Sequence, residues 1–441
     1  MLVANHLKEP TVIARADHVI SRANVSDHAL KVLYRLKSAN YQAYLVGGCV
    51  RDLLLGLHPK DFDVATDARP EQVKALFSNC RLIGRRFLLA HVLFGRDLIE
   101  VATFRGTGDA EENSTVIDAD TGRLLRDNVY GSMEEDAWRR DFTVNALYYN
   151  IQDFAIYDYV GGLEDLQQRI LRLIGDPQVR YREDPVRMLR AVRLAAKLDF
   201  TIEEASAQGI LELGHLLDDI SSARLFDEFQ KLFFAGHAVR TFEMLREYGL
   251  FGRLFPQTEA MIQRQGEQGA AYALVHQAMA GTDVRIAQGK PVTPAFLLAA
   301  LLWPAVCEHQ TELMARGVPV HDALNRAAAA VADRASERIS IPRRYRLPML
   351  EIWQLQPRLL QRRSRRSLQL LARPRFRAAY DFLLLRAQAD EVPQELAQWW
   401  TQIQTLDQEA QLAMINTAPA EEGKPHRRRR RGPRRKSITS G

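Results

Sequence analysis

The chain has 441 residues, of which 46% are hydrophobic and 26% charged, a composition that excludes a mostly disordered or fibrous protein. Its three cysteines show no CxxC spacing, so we expect no disulfide framework and no zinc site, and a reducing cytoplasmic location. The longest apolar stretch, residues 295–306, is shorter than the about 20 residues that cross a bilayer, so no transmembrane segment is expected.

The net charge of +6 comes from the C-terminal end of the chain. Residues 424–436 contain nine Lys or Arg and no acidic residue, whereas the rest of the chain carries 51 basic and 54 acidic residues. A basic tail on a nearly neutral body is typical of a protein with a polyanionic partner. After about residue 417 the composition is polar and basic, which predicts disorder.

Strand and helix patterns alternate over the first third of the chain. Ser26 is predicted as the N-cap of a helix, and the apolar segment 43–48 (AYLVGG) predicts a strand that ends in two glycines. Pro70 is expected in the first turn of a later helix, where its missing N–H costs no hydrogen bond. Residues 87–104 predict two strands around a turn, and the polar, glycine-rich residues 106–123 predict a mobile loop.

From about residue 165 the strand patterns fade and amphipathic helix patterns follow one another. The predicted fold is therefore a mixed α/β head followed by an all-α neck and body and a disordered basic tail. The predicted divisions are an N-terminal arm (1–28), the head (29–165), the neck (166–235), the body (236–416) and the tail (417–441).

Two carboxylates on one predicted strand are the first candidates for chemistry. Asp61 and Asp63 flank Phe62, and residues i and i+2 of a strand share a face. Two carboxylates about 4 Å apart repel by about 4 kcal/mol at an effective dielectric constant of 20, which favours a cation between them. Mg²⁺ suits such oxygen ligands together with substrate phosphates. The preceding Gly47 and Gly48 let backbone N–H groups approach a phosphate closely.

Glu100 and Asp141 each have a structural and a functional interpretation. Glu100 alternates with apolar neighbours on a predicted strand, and it joins the two aspartates only if that strand lies beside theirs; otherwise it is an exposed carboxylate. Asp141 lies in the segment 139–147 (RRDFTVNAL), where arginines suit phosphate because their planar fork donates two parallel hydrogen bonds. The alternative for Asp141 is a helix N-cap.

A helix opened by Pro185 carries a second charged group. Asp184 and Arg187 are three residues apart and share a face of its first turn, and Arg190 and Arg193 extend the basic face. An acceptor beside donors complements the edge of a nucleotide base. The alternative is an ion pair within the helix.

A basic segment in the predicted body, residues 358–380, contains eight arginines and no acidic residue. Phe376 and Tyr380 lie among the arginines, and a basic face with rings that stack on bases is typical of single-stranded nucleic acid binding. A solvated helix face is the alternative. The RNA-binding candidates are arginines of this segment and of the tail, namely Arg362, Arg363, Arg365, Arg366, Arg427, Arg428, Arg429, Arg430 and Arg431.

The motifs, taken in order, are similar to those of one enzyme family. LVGGCVRDLLLG and KDFDVATDARPEQV are followed by IEVATFR, RRDFTVNALYYN, DYVGGLEDL and REDPVRMLRAVRLAAKL. The set resembles the class II branch of the polymerase-β-like nucleotidyltransferases, which comprises bacterial poly(A) polymerases and CCA-adding tRNA nucleotidyltransferases. The resemblance covers about residues 29–235, with a minor departure at Cys49, where small residues are usual.

By position, the resemblance implies nucleotidyl transfer with two Mg²⁺ ions and ATP as the substrate. Asp61 and Asp63 look like the metal-binding catalytic pair, Asp141 like a third catalytic acid, and Glu100 like a strand carboxylate that completes the metal site. The sequence leaves open whether Glu100 or Asp141 is the third essential carboxylate. The implied nucleotide-binding residues are Gly47, Gly48, Arg51, Arg140, Asn145, Asp184, Arg187 and Arg190.

Within the family, CRLIGRRFLLAHVLFG and IWQLQPRLLQRR resemble the poly(A) polymerase subgroup, and the basic tail suits a featureless RNA product. The resemblance thus implies template-independent addition of AMP to the 3′ ends of mRNA and small RNAs, with RNA-decay proteins as further partners of the tail. A CCA-adding enzyme with the same chemistry is the first alternative. A non-catalytic RNA-binding protein is the second, and the intact Asp61–Asp63 pair argues against it.

Overall fold

The computed structural model describes residues 9–84, 87–106, 115–117, 124–127, 129–362 and 365–417. A mixed sheet occupies its first part and helices form the remainder, which confirms the predicted fold class of an α/β head followed by an all-α neck and body. The basic tail, predicted to be disordered, lies outside the described residues. None of the described helices combines the length and hydropathy that a membrane span requires.

One large sheet dominates the first part of the chain. The described strands are β1 (Thr11–Ile13), β2 (Ala43–Val46), β3 (Asp63–Thr66), β4 (Cys80–Ile83), β5 (Leu89–Phe94), β6 (Asp97–Thr103), β7 (Thr115–Ile117), β8 (Leu124–Asp127), β9 (Leu147–Tyr149), β10 (Ile156–Asp158), β11 (Ile170–Leu171) and β12 (Thr201–Ile202). Eight of these strands form the sheet, in the order β1-β10-β9-β2-β3-β6-β5-β4. Adjacent strands of this sheet are antiparallel, except β3 and β6, which lie in its middle and run parallel to each other.

Helices cover the sheet and form the rest of the molecule. The first nine are α1 (Asp27–Ser38), α2 (Gly48–Leu54), α3 (Pro70–Leu76), α4 (Met133–Arg139), α5 (Gly162–Gln168), α6 (Pro177–Glu183), α7 (Val186–Leu198), α8 (Glu204–Leu213) and α9 (Ser222–Phe233). The others are α10 (Ala238–Glu247), α11 (Phe251–Leu254), α12 (Pro256–Gln265), α13 (Ala270–Ala287), α14 (Pro294–Ala315), α15 (Val320–Ile339), α16 (Arg343–Leu359), α17 (Arg365–Leu371), α18 (Phe376–Gln388), α19 (Gln394–Ile403) and α20 (Gln408–Thr417).

Local signals set several helix starts as predicted. The Ser26 side chain accepts a hydrogen bond of 3.2 Å from the backbone N–H of His28 and so caps α1. Pro70 occupies the first turn of α3, and α7 begins directly after Pro185. These predictions hold because each depends only on residues adjacent in the chain.

Short strands depart from the sequence predictions in three places. β1 lies in the segment predicted to be an arm and pairs with β10 at the edge of the sheet. β7 lies within the loop predicted over 106–123 and pairs with β8, while residues 107–114 and 118–123 lie outside the described residues. β11 and β12 form a parallel pair in the predicted helical neck. Strands of two or three residues are too short to show a readable alternation.

Two apolar clusters hold the helical part together. One continues from beneath the sheet through the neck and body helices, and Trp353 of α16 is fully buried in it. The other joins the last helices around Trp400 of α19, whose indole N–H donates a hydrogen bond of 2.6 Å to the carbonyl of Leu359. The body is therefore packed as far as α20, directly before the basic tail.

Candidate active site

Two carboxylates meet where the parallel strands of the sheet lie side by side. β3 begins at Asp63, and its partner in the register with β6 is Glu100. Neighbouring strands lie about 4.8 Å apart, so these two residues are direct neighbours. Asp61 comes just before β3 and is exposed, whereas Phe62, between Asp61 and Asp63, is buried in the core. The condition set for Glu100, a strand beside that of the aspartates, is therefore met.

The electrostatic environment of Asp63 is also unusual. Burial, then the charge of Glu100, raises the pKa of Asp63 to about 6; Asp61 adds to this rise and Arg140 opposes it. Glu100 also lies 3.3 Å from a ring nitrogen of His91 on β5. In the part of the chain that the structure describes, no three His, Cys, Asp or Glu side chains stand close enough together to hold a metal ion. The repulsion between Asp63 and Glu100 is of the kind that a divalent cation relieves.

A glycine turn brings the backbone next to these carboxylates. Gly47, between β2 and α2, has φ 80° and ψ −142°, a conformation open essentially to glycine alone. A Cβ added there would lie 3.7 Å from both Nη1 of Arg140 and Oδ2 of Asp63. Backbone, guanidinium and carboxylate thus converge on one spot, which suits a phosphate and its counter-ion.

Arg140 is held in place by a buried acid that sequence reasoning missed. Asp136 accepts from Nε of Arg140 (3.0 Å), from Nε of Arg105 (3.0 Å) and from the hydroxyl of Tyr148 (2.7 Å). Burial opposes its ionisation, but Arg140, Arg105 and the Tyr148 hydrogen bond keep the pKa of Asp136 well below its ordinary value. The i, i+4 spacing of Asp136 and Arg140 on a helix is the sequence signal for this pair.

Arg51 supports the glycine turn from within. Its Nε donates to Oδ1 of Asp52 (2.8 Å) and its Nη1 to Oδ1 of Asn145 (2.5 Å). Only 4% of the Arg51 side chain is exposed, and a Cβ on Gly48 would lie 3.3 Å from Nη2. Two of the predicted nucleotide contacts, Arg51 and Asn145, therefore bind each other and tie α2 to the segment before β9. Their direct contact with a nucleotide stays a prediction.

Asp141 faces helix α7. Its Oδ1 accepts from the N–H of Phe142 (2.9 Å), and its other oxygen forms an ion pair with Arg190. Burial would raise the pKa of Asp141, but the charges of Arg190 and Arg187 and these hydrogen bonds lower it to about 2. The N-cap alternative is wrong, since the short 3₁₀ helix that follows is capped by Phe142. The charges that act on Asp63 come from Glu100, Arg140 and Asp61, and Asp141 is not among them.

The predicted base-reading pair is held by partners other than each other. Nη1 of Arg187 donates to Oε2 of Glu183 (2.8 Å) and to the carbonyl of Arg180 (2.6 Å). Oδ2 of Asp184 accepts from Nη2 of Arg224 (2.8 Å). The alternative of an Asp184–Arg187 ion pair is therefore wrong, because Glu183 one turn earlier takes the arginine. Glu183 and Arg224 were missed, and only Glu183 has a sequence signal, its i, i+4 spacing.

The aromatic residues of the basic segment are not available for stacking on bases. Phe376 and Tyr380 are 6% and 4% exposed and stack on each other with ring centroids 6.1 Å apart. Phe376 also packs against Trp400. The predicted stacking role is wrong, because these rings fill the apolar cluster of the last helices.

Part of the basic segment is neutralised by acids outside it or at its edge. Nε of Arg375 lies 3.0 Å from Glu351, and Nε of Arg377 lies 3.0 Å from Asp381. Arg362 is partly exposed after α16, and the backbones of Arg365 and Arg366 open α17. Outside the described residues lie Arg363, Arg427, Arg428, Arg429, Arg430 and Arg431.

The chain is similar in sequence to known proteins over nearly its full length. Three family models match it: the poly A polymerase head domain over residues 43–172, the probable RNA and SrmB-binding site of polymerase A over 199–262, and the polymerase A arginine-rich C-terminus over 316–436. Poly(A) polymerase I of Salmonella typhi is 49% identical over 436 residues, covering 97% of this chain and 94% of that protein.

CCA-adding enzymes match less of the sequence. That of Lactobacillus helveticus is 39% identical over 216 residues, covering 49% of this chain and 52% of that protein. Among solved structures, the Bacillus stearothermophilus CCA-adding enzyme in complex with CTP is 27% identical, with a TM-score of 0.54, covering 85% of this chain and 80% of that one. Sequence similarity thus extends over nearly the whole chain for the Salmonella typhi poly(A) polymerase I and over about half of it for the Lactobacillus helveticus CCA-adding enzyme. The structural similarity to the Bacillus stearothermophilus CCA-adding enzyme covers 85% of the chain.

Proposed function

The chain belongs to the poly(A) polymerase family of nucleotidyltransferases, and from this membership we propose that it adds AMP from ATP to RNA 3′ ends without a template, releasing pyrophosphate. One observation carries the choice within the family. The poly(A) polymerase I of Salmonella typhi is similar over 97% of the chain, whereas the Lactobacillus helveticus CCA-adding enzyme matches 49% of it. As a nucleotidyltransferase, the chain is not a non-catalytic RNA-binding protein.

The carboxylates of β3 and β6 fit a divalent cation in charge and in ligand type. Because no three such side chains gather among the described residues, Mg²⁺ would be held by one or two of the carboxylates Asp61, Asp63 and Glu100 together with substrate phosphates. The raised pKa of Asp63 reflects the burial and like charge that a cation compensates. Two such ions, when bound, would lower the pKa of the RNA 3′-hydroxyl and neutralise charge on the leaving pyrophosphate. Asp141, paired with Arg190, then serves as a positioning residue for α7.

The glycine turn and Arg140 bind the triphosphate of ATP in this proposal. Arg140 stays a cation because Asp136 compensates its burial and keeps its pKa above its ordinary value. Gly47 lets the backbone approach the phosphates, since no Cβ intervenes between Arg140 and Asp63. Arg51 and Asn145 keep this turn in place from beneath.

Base choice is assigned to the start of α7. Arg187 offers donors and Asp184 an acceptor, and their partners Glu183 and Arg224 fix both side chains before a nucleotide arrives. A pre-oriented pair loses little freedom on binding and can therefore discriminate between bases. The same two residue types suit A alone or C and A in turn, so the choice of ATP depends on their orientation.

The basic tail, residues 424–436, is proposed to hold the RNA product. If all nine basic residues contacted phosphates, the logarithm of the binding constant would fall with a slope of about −6 against the logarithm of salt concentration. Such binding is independent of sequence, as a homopolymer product requires. RNA-decay proteins as partners of the tail belong to the same proposal.

A cytoplasmic location also belongs to the proposal. Its support is that Cys49, Cys80 and Cys307 are all free thiols. Subcellular fractionation of tagged cells tests it, with the protein expected in the cytoplasmic fraction and its recovery in another compartment counting against the proposal.

Primer extension by the purified full-length protein with Mg²⁺ tests the function. The two RNAs are an unstructured oligomer and a tRNA lacking its CCA end, each offered ATP alone, CTP alone, or both. A long ladder on the oligomer with ATP alone is the expected result.

The CCA-adding alternative has support from the solved structure that is 27% identical to the chain. Addition that requires CTP, acts on the tRNA and stops after three nucleotides would establish this alternative. Extension of neither RNA would overturn both.

A further inference from the structure

A groove opens on the body beside the buried aromatic cluster. It lies between the C-terminal half of α16 and the connection from α17 to α18, and its volume is about 380 Å³. This size is within the range of about 300–1,000 Å³ typical of sites for small ligands or single nucleotide units. We call it the body groove. Its polar and charged lining residues are Glu351, Gln354, Arg358, Arg373 and Arg375, and Leu355 and Pro374 complete the lining.

The charge of the body groove is unbalanced. Arg375 is paired with Glu351 at 3.0 Å. Arg358 and Arg373 are exposed, and among the described residues no carboxylate lies within ion-pair distance of either. Three guanidinium groups therefore face one carboxylate across a small space. Since planar guanidinium groups donate paired hydrogen bonds to phosphate oxygens, the arrangement favours a phosphate ligand.

Packing beneath the groove holds its two walls together. Buried Gln356 of α16 donates a hydrogen bond of 3.1 Å to the carbonyl of Ala379 on α18. The connection between α17 and α18 is closed by a bond of 3.0 Å from the N–H of Phe376 to the carbonyl of Arg373. The Phe376 ring is itself buried. The arginines thus project from a fixed frame, and binding requires ordering of side chains only.

The groove carries no means of reading bases by stacking. Its lining residues include no aromatic ring, because Phe376 and Tyr380 are buried behind it. Contacts from arginine to phosphate fix the position of a nucleic acid strand without reading its sequence. A homopolymer or an arbitrary RNA upstream of the 3′ end is the substrate that such a surface suits.

The last described helix packs near the wall of the groove. α20 (Gln408–Thr417) packs against α17, and the connection from α17 to α18 forms one wall of the groove. In the sequence, the basic residues 424–436 follow α20, but they lie outside the described residues.

We propose that the body groove binds the phosphodiester backbone of single-stranded RNA, upstream of the 3′ end that is extended. The proposal rests on the proposed function, which supplies the RNA, and it names the part of the folded body that holds this substrate. Binding and catalysis are separable, because the groove is measured by RNA affinity and the function by incorporation of AMP.

The test measures binding of an unstructured, fluorescently labelled RNA oligomer to the full-length protein over a series of salt concentrations. Loss of two phosphate contacts in Arg358→Gln/Arg373→Gln is expected to make the salt slope shallower by about 1.4 and to weaken binding. Glu351→Gln removes the carboxylate from the groove and is expected to strengthen binding. Opposite effects of the two variants could not arise from damage to the fold.

A matched control removes the same charge elsewhere. Arg334→Gln/Arg343→Gln changes two exposed arginines, and Arg343 lies 15 residues before Arg358 on α16, about 22 Å along the helix. The control is expected to retain the wild-type salt slope. Equal losses in both double variants, or an unchanged slope in the groove variant, would overturn the proposal. Wild-type AMP incorporation, measured in parallel, reports on the proposed function independently.

Discussion

Asp63 of β3 and Glu100 of β6 are register partners across the parallel strand pair of the sheet. Antiparallel neighbours flank this pair on both sides, with β2 next to β3 and β5 next to β6. Two acidic residues distant in sequence thereby lie side by side. Their mutual repulsion makes binding of a cation between them favourable.

Asp63→Asn is expected to reduce AMP incorporation by about 10²-fold or more while RNA affinity stays near that of the wild type. Loss of one metal-binding charge removes several kcal/mol of transition-state stabilisation, and each 1.36 kcal/mol is tenfold in rate. Single-turnover primer extension and RNA binding measure the two effects. Asp97→Asn, which removes an exposed carboxylate from the same sheet, is the control. Near-normal turnover of the Asp63→Asn variant would show that Asp63 is not an essential metal-binding residue.

The pKa of Asp63 makes the stability of the metal-free protein depend on pH. Its value of about 6 lies above its ordinary 3.8, so its contribution is fully present below about pH 4 and is lost as the pH rises through 6. The lost free energy of unfolding is about 3 kcal/mol at most. Urea unfolding in EDTA, compared between wild type and Asp63→Asn, isolates this group. If the difference in the free energy of unfolding between the two proteins stayed constant from pH 4 to pH 8, the raised pKa of Asp63 would be contradicted. Added Mg²⁺ is expected to restore the stability of the wild type at pH 8.

Gly47→Ala is expected to lower the free energy of unfolding by about 1–3 kcal/mol and to raise KM for ATP. The residue has φ 80°, and the added methyl would lie 3.7 Å from Arg140 and Asp63. Gly56→Ala is a matched control, since Gly56 has φ 72° and nothing lies within 4 Å of its added Cβ. Both variants lose stability, and only the first changes KM. An equal rise of KM in both would show that strain alone is responsible.

Asp141 and Arg190 are expected to be energetically coupled. Their ion pair joins the segment before β9 to α7. Removal of Arg190 leaves the mostly buried carboxylate of Asp141 without its cation, whereas the side chain of Arg190 is itself 44% exposed. A double-mutant cycle with Asp141→Asn and Arg190→Gln, read by urea unfolding, is expected to give a coupling free energy of about 1–3 kcal/mol. Additive effects of the two substitutions on the free energy of unfolding would show that the two residues are not coupled. A turnover loss in Asp141→Asn as large as in Asp63→Asn would instead favour a catalytic role.

Arg187→Ala is expected to reduce the preference for ATP over CTP by about tenfold or more, since one pair of base-directed hydrogen bonds is worth about 1–3 kcal/mol. Glu183→Gln, which frees Arg187 from its partner, is expected to give a smaller loss in the same direction. The ratio of kcat/KM for the two nucleotides measures both. An unchanged ratio in Arg187→Ala would assign base choice to other residues.

The sequence predicted the fold class and several element starts because their signals are local. Ser26, Pro70 and Pro185 set helix starts through residues next to them, and the switch from alternating strands to helical spacing marks the change from head to body. The three-residue strands β1 and β7 escaped prediction, because their pairing partners and not their own residues stabilise them.

The partners of charged side chains were less predictable. Spacing suggested an ion pair between Asp184 and Arg187. In the structure, Arg187 forms an ion pair with Glu183, and Asp184 forms one with Arg224. Phe376 looked exposed among arginines, yet it is buried against Trp400. In each case the deciding contact comes from another element or turn, whose position the local pattern does not contain.

The sequence by itself determined the motifs that carry the chemistry, the order of sheet and helices, and the charge of the tail, since all of these depend on residue type and short-range spacing. Only the tertiary structure decided that Glu100 lies beside Asp63, that Asp136 holds Arg140, and that Asp141 pairs with Arg190 of α7. The physical reason is that strand order and helix packing bring together residues distant along the chain, and burial then makes their charges interact strongly.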